Sequence, residues 1–242
     1  MINAVVGDVL QYGDYLLEVV LVAAVVYRGL WRRLPGVSLY LLSLVALDTV
    51  GRPLVLYRFG FHSTEYWYTY WITNVALQLA AFLLVCSFFR SACANEERLW
   101  HVLRLALPLV FLLTVALSVV PIWQGRLSKM NMDFVAQFEQ YMYFACLVLN
   151  TLLFIMMQYV EVEEGRLPLL VCGLGLQFAG PAAGMAVVVL TGGQEYAKSL
   201  AAHIDPLCTL GMLLTWLYAV RRVPRTALRP VREEPGTVEQ AA

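Results

Sequence analysis

Ionisable and amide side chains interrupt several long apolar stretches of the sequence, and their spacing could hold a polar ligand. Asp48 and Arg52 are four residues apart, as are Asn74 and Gln78, so each pair shares a face if its stretch is helical. An ionisable group within an apolar helix is costly unless it meets a partner or water, so each one is a candidate functional group. The candidate ligand-binding residues are Glu18, Asp48, Arg52, Asn74, Gln78, Glu139, His203 and Asp205.

The first two pairs also have purely structural interpretations. Asp48 and Arg52 could neutralise each other as a buried ion pair on one helix face. Asn74 and Gln78 could form hydrogen bonds that join neighbouring helices. The sequence leaves both alternatives open beside the ligand-binding one.

The last two apolar stretches contain patterns of the same kind. His203 and Asp205 could support a kink at Pro206, whose ring leaves a backbone carbonyl without its donor. Gly180 and Gly184 form a pair of small residues four apart, which predicts close packing against another helix.

Seven apolar stretches of roughly 20 residues carry these side chains, and each is long enough to cross a bilayer as a helix. Hydrophobic residues make up 60% of the 242 residues and charged residues 14%, whereas soluble domains have about a quarter charged residues. We therefore predict an all-α, polytopic (multi-pass) protein of the cytoplasmic cell membrane. Its seven-transmembrane-helix bundle spans residues 1–222, and residues 223–242 form a short disordered cytoplasmic tail. The predicted spans are roughly 9 to 27, 36 to 57, 67 to 89, 101 to 121, 135 to 159, 167 to 190 and 199 to 220.

The distribution of positive residues predicts the orientation of this bundle. Twelve of the 17 Lys and Arg residues fall in breaks on one side, four fall on the other, and Arg52 lies within a span. Positive residues are retained on the cytoplasmic side of a membrane. We therefore expect the N-terminus outside and the C-terminus in the cytoplasm.

With this orientation, the polar side chains fall in the outer half or the middle of the spans. The inner halves are apolar apart from Asn150, Gln158 and scattered hydroxyl groups. Apolar lipid cannot satisfy the polar groups, so they predict a wet cavity open to the outside. Acidic residues outnumber basic ones in this cavity, so it would suit a cation, a ligand that forms several hydrogen bonds, or a proton. Its charged residues would be Asp14, Glu18, Asp48, Glu139 and Asp205 against Arg52 and His203.

Aromatic residues crowd the second break, as in the run from Tyr66 to Trp71. One interpretation is an interfacial aromatic belt. The other is a lid over the outward-facing cavity.

The sequence lacks the residues that several membrane chemistries need. The middle of the seventh span is Cys208, Thr209 and Leu210, so it has no lysine for a retinal Schiff base. The three histidines are scattered, and the five cysteines show no CxxC metal spacing. Motifs for nucleophilic, metallopeptidase or phosphate chemistry are absent. We therefore predict no enzyme activity, no metal, no cofactor and no nucleic-acid partner.

The layout resembles the seven-helix membrane-sensing regions at the front of some bacterial histidine kinases, and stand-alone uncharacterised membrane proteins of similar length. The features that match are the external N-terminus, the seven spans, the aromatic entry Tyr66–Trp71 and the basic exit Arg221–Arg222. The resemblance covers residues 1–222 and implies a sensing role. It transfers no binding residue.

Three functions follow from these observations. The first is a sensor or binding module for a small molecule from the outer side, acting through a membrane or cytoplasmic partner because about 20 tail residues cannot house an output domain. The second is a small secondary transporter that uses the same cavity as a midplane site. The third is a scaffold whose helix faces bind another membrane protein. In each case the lipid bilayer surrounds the protein.

Overall fold

The computed structural model describes residues 2–32, 34–61, 63–94, 96–123, 130–159, 165–192 and 194–222, and within these ranges all regular structure is helical. The predicted tail, 223–242, lies outside the described residues. A 3-10 turn, Leu30–Arg32, follows the first helix, and a π-helical segment, Val45–Gly51, joins the second to the third. The α-helices are α1 (Ile2–Tyr27), α2 (Pro35–Leu44), α3 (Arg52–Phe59), α4 (Thr64–Ala92), α5 (Glu97–Trp123), α6 (Met130–Tyr159), α7 (Leu167–Leu190) and α8 (Glu195–Arg221).

Seven helical stretches in this part of the chain are long and apolar enough to cross a membrane. The segment Pro35–Phe59, made of α2, the π segment and α3, counts as one of them. This is the architecture of a multi-pass membrane protein, and the predicted number of spans is confirmed. The predicted bounds are close to the observed ones: 167 to 190 corresponds to α7, and 67 to 89 lies within α4.

The second stretch differs from the uniform helix that its hydropathy predicts. At the end of the π segment the Arg52 amide donates to the carbonyl of Leu47, five residues earlier. Pro53 explains the change, because it has no N–H for the carbonyl of Thr49 and its ring crowds that oxygen. The backbone avoids the clash by widening its turn just before the proline.

Turn residues set the ends of several helices. Ser63 caps the N-terminus of α4, where its hydroxyl accepts a 3.1 Å hydrogen bond from the amide of Tyr66. Gly60 and Gly192 have positive φ angles of 81° and 64°, which glycine adopts without a steric penalty. Each of these glycines follows the end of a helix and reverses the chain.

The helix ends show how the first and last helices are arranged. Arg28, just after α1, donates 2.9 Å hydrogen bonds from one nitrogen to the carbonyls of Val220 and Arg221. Arg166, just before α7, donates to the carbonyl of Arg222 at 3.2 Å. The ends of α1 and α8 therefore lie together beside the start of α7, and two arginines satisfy carbonyls that the C-terminus of α8 leaves open.

The half of the bundle near these ends is closed by large apolar side chains. Phe88, Phe89, Leu153, Leu167 and Trp216 are each at most 2% exposed. The Trp216 indole N–H donates to a backbone carbonyl of α7 at 2.9 Å, so its only polar atom is satisfied. We call this region the closed half.

The outside of the bundle is apolar as well. On α5, Leu105, Leu109 and Leu112 are 77%, 64% and 65% exposed. Continuous exposed leucine faces are rare on proteins that work in water and are typical of helices that face lipid.

Candidate functional site

The polar side chains converge on a cavity of about 160 Å³ that lies between mid-depth and the end of the bundle where α1 begins. Six of the seven spans contribute, through α1, α2–α3, α4, α6, α7 and α8. The wall is formed by Glu18, Tyr40, Leu44, Asp48, Arg52, Tyr70, Asn74, Leu77, Gln78, Ala81, Glu139, Tyr143, Gln177, Phe178, Asp205 and Thr209.

Arg52 organises one side of this wall. Its Nη1 lies 2.5 Å from Oδ1 of Asp48, which confirms the ion pair expected from their spacing. Its Nε donates to Oγ1 of Thr73 at 2.9 Å, and its Nη2 donates to Oδ1 of Asn74. The guanidinium carbon lies 4.8 Å from the ring centre of Tyr70, a cation–π distance. The charge of Arg52 is thus shared among α3, α4 and the π segment.

Glu18 is held by the π segment. It is 1% exposed, and its Oε2 accepts a hydrogen bond from the hydroxyl of Thr49. The wider turn that Pro53 forces therefore places Asp48 against Arg52 and Thr49 against Glu18. π segments within α-helices are frequent at functional sites, and this one borders the cavity.

The π segment also explains why residues along more than three turns of the second stretch line the cavity. Tyr40, Leu44, Asp48 and Arg52 succeed one another at four-residue intervals, and all four line the wall. In a uniform α-helix each four-residue step overshoots a full turn by about 40°. The wider π turn reduces this drift and keeps Asp48 and Arg52 on the cavity side.

Seven of the eight predicted site residues line the cavity. The exception is His203, whose Nδ1 lies 2.6 Å from the carbonyl oxygen of Ser199, one turn earlier in its own helix. Asp205 is on the wall, and part of its side chain is exposed. Pro206 follows it within α8, and Thr209 donates to the Asp205 carbonyl at 3.1 Å.

Two amide side chains on the wall keep buried oxygens without a partner among the described residues. Gln78 is 5% exposed and its Oε1 accepts no hydrogen bond; the Oε1 of Gln177 is in the same situation. The predicted use of Asn74 as interhelical glue fits its bond to Arg52, whereas the buried oxygen of Gln78 makes no such bond. A buried acceptor without a donor costs about 1–3 kcal/mol, so a donor that reached either oxygen would be bound favourably.

Several wall residues were absent from the predicted set. Tyr40 could have been found from its four-residue spacing to Leu44 and Asp48. Tyr143 and Thr209 also line the wall but give no such signal, because single hydroxyl residues are common in apolar helices.

The aromatic run combines features of both predicted roles. Trp67 and Tyr68 are 38% and 57% exposed, as expected for an interfacial belt. Tyr70 lines the cavity and packs edge-on against Trp67 and Trp71, with ring centres 6.1 and 5.7 Å apart. The run therefore connects the surface to the cavity wall.

Within the described residues no three His, Cys, Asp or Glu side chains lie close enough together to hold a metal ion. The carboxylates of the wall are thus spread around the cavity rather than gathered at one point.

Comparison with protein-family models, with curated proteins and with solved structures found no match.

Proposed function

We propose that the chain is an integral protein of the cytoplasmic membrane, with its N-terminus outside and its C-terminus in the cytoplasm. The seven apolar helices and the exposed leucine face of α5 support insertion. The positions of Arg28, Arg166 and Arg221 support the orientation, because these arginines gather where α1 and α8 end.

In this orientation the cavity opens to the outside, and its function is to bind a small polar ligand there as a sensor or binding module. The observation that carries this proposal is the convergence of ionisable and amide side chains from six spans on one cavity. Structural ion pairs alone do not account for it, since buried oxygens of Gln78 and Gln177 have no partner among the described residues. Passing the signal to a partner protein, as in the sensing regions that the chain resembles, is part of the same proposal.

Cysteine labelling tests the accessibility and the side of the cavity. The natural cysteines are replaced by alanine (Cys86, Cys93, Cys146, Cys172, Cys208), and the cysteine of Thr209→Cys is the reporter. A membrane-impermeant methanethiosulfonate sulfonate should label this reporter when added to intact cells. The matched control keeps only Cys146, which is 0% exposed and should stay unlabelled.

Two results would contradict the proposal. Labelling of Thr209→Cys only in inside-out vesicles would reverse the orientation. No labelling from either side, with an unchanged melting temperature, would mean that the cavity is closed to water.

Transport is the second candidate function, and the π segment and the helix prolines near the cavity favour it. The π segment lies beside the cavity, and Pro181 and Pro206 lie within α7 and α8. Carriers often have helices that depart from regular α geometry at their midplane sites. Transport would require the closed half to open. Uptake of a solute into proteoliposomes therefore distinguishes a transporter from a binding module.

A further inference from the structure

The ligand chemistry of the cavity can be inferred from its balance of hydrogen-bond donors and acceptors. The one arginine of the wall is already engaged, because its three nitrogens donate to Asp48, Thr73 and Asn74. Asp48 is neutralised in the same contact. Because Arg52 is paired with wall residues, its positive charge attracts an anion in the cavity only weakly.

The remaining ionisable groups of the wall include the carboxyl groups of Glu18, Glu139 and Asp205. Glu18 is 1% exposed and receives a hydrogen bond from Thr49, Glu139 lies beside the Asn74 side chain, and Asp205 is exposed. Among the described residues, Arg52 forms its salt bridge with Asp48 and with none of these three carboxyl groups. Groups of this kind, surrounded by an apolar bundle, favour a cation in the space between them.

The two unpartnered glutamine oxygens supply an independent observation. Gln78 is 95% buried and lines the cavity, and its Oε1 accepts from no described residue. The Oε1 of Gln177 is also buried and unpartnered on the same wall. Both oxygens can accept but not donate, so a ligand that satisfies them must bring N–H or O–H groups.

The spread of the acceptors distinguishes an organic cation from a bare metal ion. Calcium and magnesium need about six oxygens that converge on one point at 2.0 to 2.6 Å. No cluster of three carboxylates, histidines or cysteines exists among the described residues. An ammonium group carries three N–H donors and can reach separate acceptors through its own bonds.

The size and the apolar part of the wall limit the rest of the ligand. A cavity of about 160 Å³ is similar to one of about 150 Å³ that accepts benzene in another protein. Leu77, Tyr143 and Phe178 add apolar and aromatic surface, and aromatic faces also attract cations. The space suits a compact molecule of roughly six non-hydrogen atoms rather than a peptide or a polyamine.

From these observations we infer that the cavity binds a small primary ammonium cation. The carboxylate and amide oxygens of Glu18, Gln78 and Gln177 accept its N–H groups, and its carbon part lies against Tyr143 and Phe178. The inference rests on the proposed ligand-binding function, and it specifies the class of ligand.

Calorimetric titration of the full chain in phospholipid nanodiscs tests it, with n-butylammonium as the probe and empty nanodiscs as the blank. Sodium butyrate and n-butanol have the same size without the positive charge, and tetramethylammonium has the charge without N–H donors. We expect n-butylammonium to bind at least about tenfold more tightly than each of the three, since each of them lacks either the positive charge or the N–H donors.

A pair of matched variants localises the binding. Gln78→Met keeps the volume and removes the acceptor, and it should weaken n-butylammonium binding about tenfold. Gln137→Met is the control, because Gln137 also has a buried, unpartnered Oε1 but does not line the cavity. It should leave the affinity unchanged. Both variants should keep the melting temperature within a few degrees of the parent.

Three outcomes overturn the inference. Equal binding of n-butanol and n-butylammonium would mean that the cavity does not select a cation. No binding of any probe would mean that water alone satisfies the glutamine oxygens. Equal weakening by both glutamine variants would place the binding elsewhere. None of these results depends on the side to which the cavity opens, so each is distinguishable from failure of the cysteine labelling.

Discussion

Arg52 carries the positive charge of the cavity wall and fixes the position of the side chains around it. Its guanidinium joins Asp48, Thr73 and Asn74 by hydrogen bonds and lies on the ring of Tyr70. The Arg52 and Asp48 side chains are only 17% and 30% exposed, so water replaces either partner poorly. Removing one partner should therefore lower the free energy of unfolding more than removing both.

Arg52→Gln should lower the free energy of unfolding by about 2–3 kcal/mol, because it leaves Asp48 charged and unpaired in a partly buried site. The double variant Asp48→Asn with Arg52→Gln should recover part of this loss. Thermal unfolding in detergent micelles measures both. Arg58→Gln is the matched control, since Arg58 lies on the same helix, α3, and is exposed.

If Arg52→Gln were as mild as Arg58→Gln, the network around Arg52 would not stabilise the fold. If the double variant were less stable than Arg52→Gln alone, the ion pair would not be the reason for the loss.

The same residues show what a single sequence can and cannot give about the site. Chemical type and depth were enough to predict seven wall residues, because polar groups in apolar helices must turn inward to find partners. They were not enough for His203, which is two positions from Asp205 and so faces about 160° away around the helix. The rotation of a helix about its axis depends on packing, and a stretch that is apolar on all faces does not encode it strongly.

At the scale of the elements, α7 packs closely against α8; the sequence predicted a close contact for α7 but not which helix makes it. A Cβ atom on Gly180 would lie 2.8 Å from Cβ and 2.9 Å from Sγ of Cys208. A Cβ atom on Gly184 would lie 3.3 Å from that of Ala201. The two glycines, spaced by four, therefore bring α8 against α7, as the small-residue pattern predicts.

Gly180→Ala should destabilise the bundle by about 1–3 kcal/mol, because the added methyl group overlaps Cys208. Gly211→Ala is the control on the same helix pair: its new Cβ would meet Leu176 at an ordinary 3.6 Å. That variant should be neutral or slightly stabilising, since alanine favours a helix over glycine by about 1 kcal/mol. Unfolding in micelles measures both changes.

Adding Cys208→Gly to Gly180→Ala removes the overlapping atoms and should restore part of the lost stability. Equal destabilisation by the two alanine variants, or no recovery with Cys208→Gly, would contradict close packing at Gly180.

The interruption of the second stretch shows the limit of hydropathy as a guide to the elements. Hydropathy predicted the length and the position of this stretch. It is an average over many residues, so it cannot show that a backbone hydrogen bond spans five residues instead of four. Pro53 was the local signal for that change. Its consequence, the contact of Thr49 with Glu18, also required the position of α1.

At the scale of the whole molecule, the bundle is polar towards one end and closed by packed apolar side chains at the other. Phe88, Phe89, Leu153 and Trp216 fill the closed half, and Tyr40 joins that half to the cavity through an edge-on contact with Trp216 at 5.9 Å. Solute passage would require these side chains to separate, whereas ligand binding would not. Access to the closed half thus distinguishes a binding module from a carrier.

Asn150 reports on that half, because it is 4% exposed and its amide donates to the Val171 carbonyl at 3.1 Å. In the cysteine-free background, Asn150→Cys should stay unlabelled by a thiol reagent in inside-out vesicles, with or without n-butylammonium. Gln158→Cys is the positive control, since Gln158 is exposed next to the end of α6. A carrier visits an inward-open state, so labelling of Asn150→Cys that rises with a solute gradient would favour transport over sensing. Protection of Asn150→Cys under every condition, while Gln158→Cys reacts and Thr209→Cys reacts from the other side, is the result expected of a binding module.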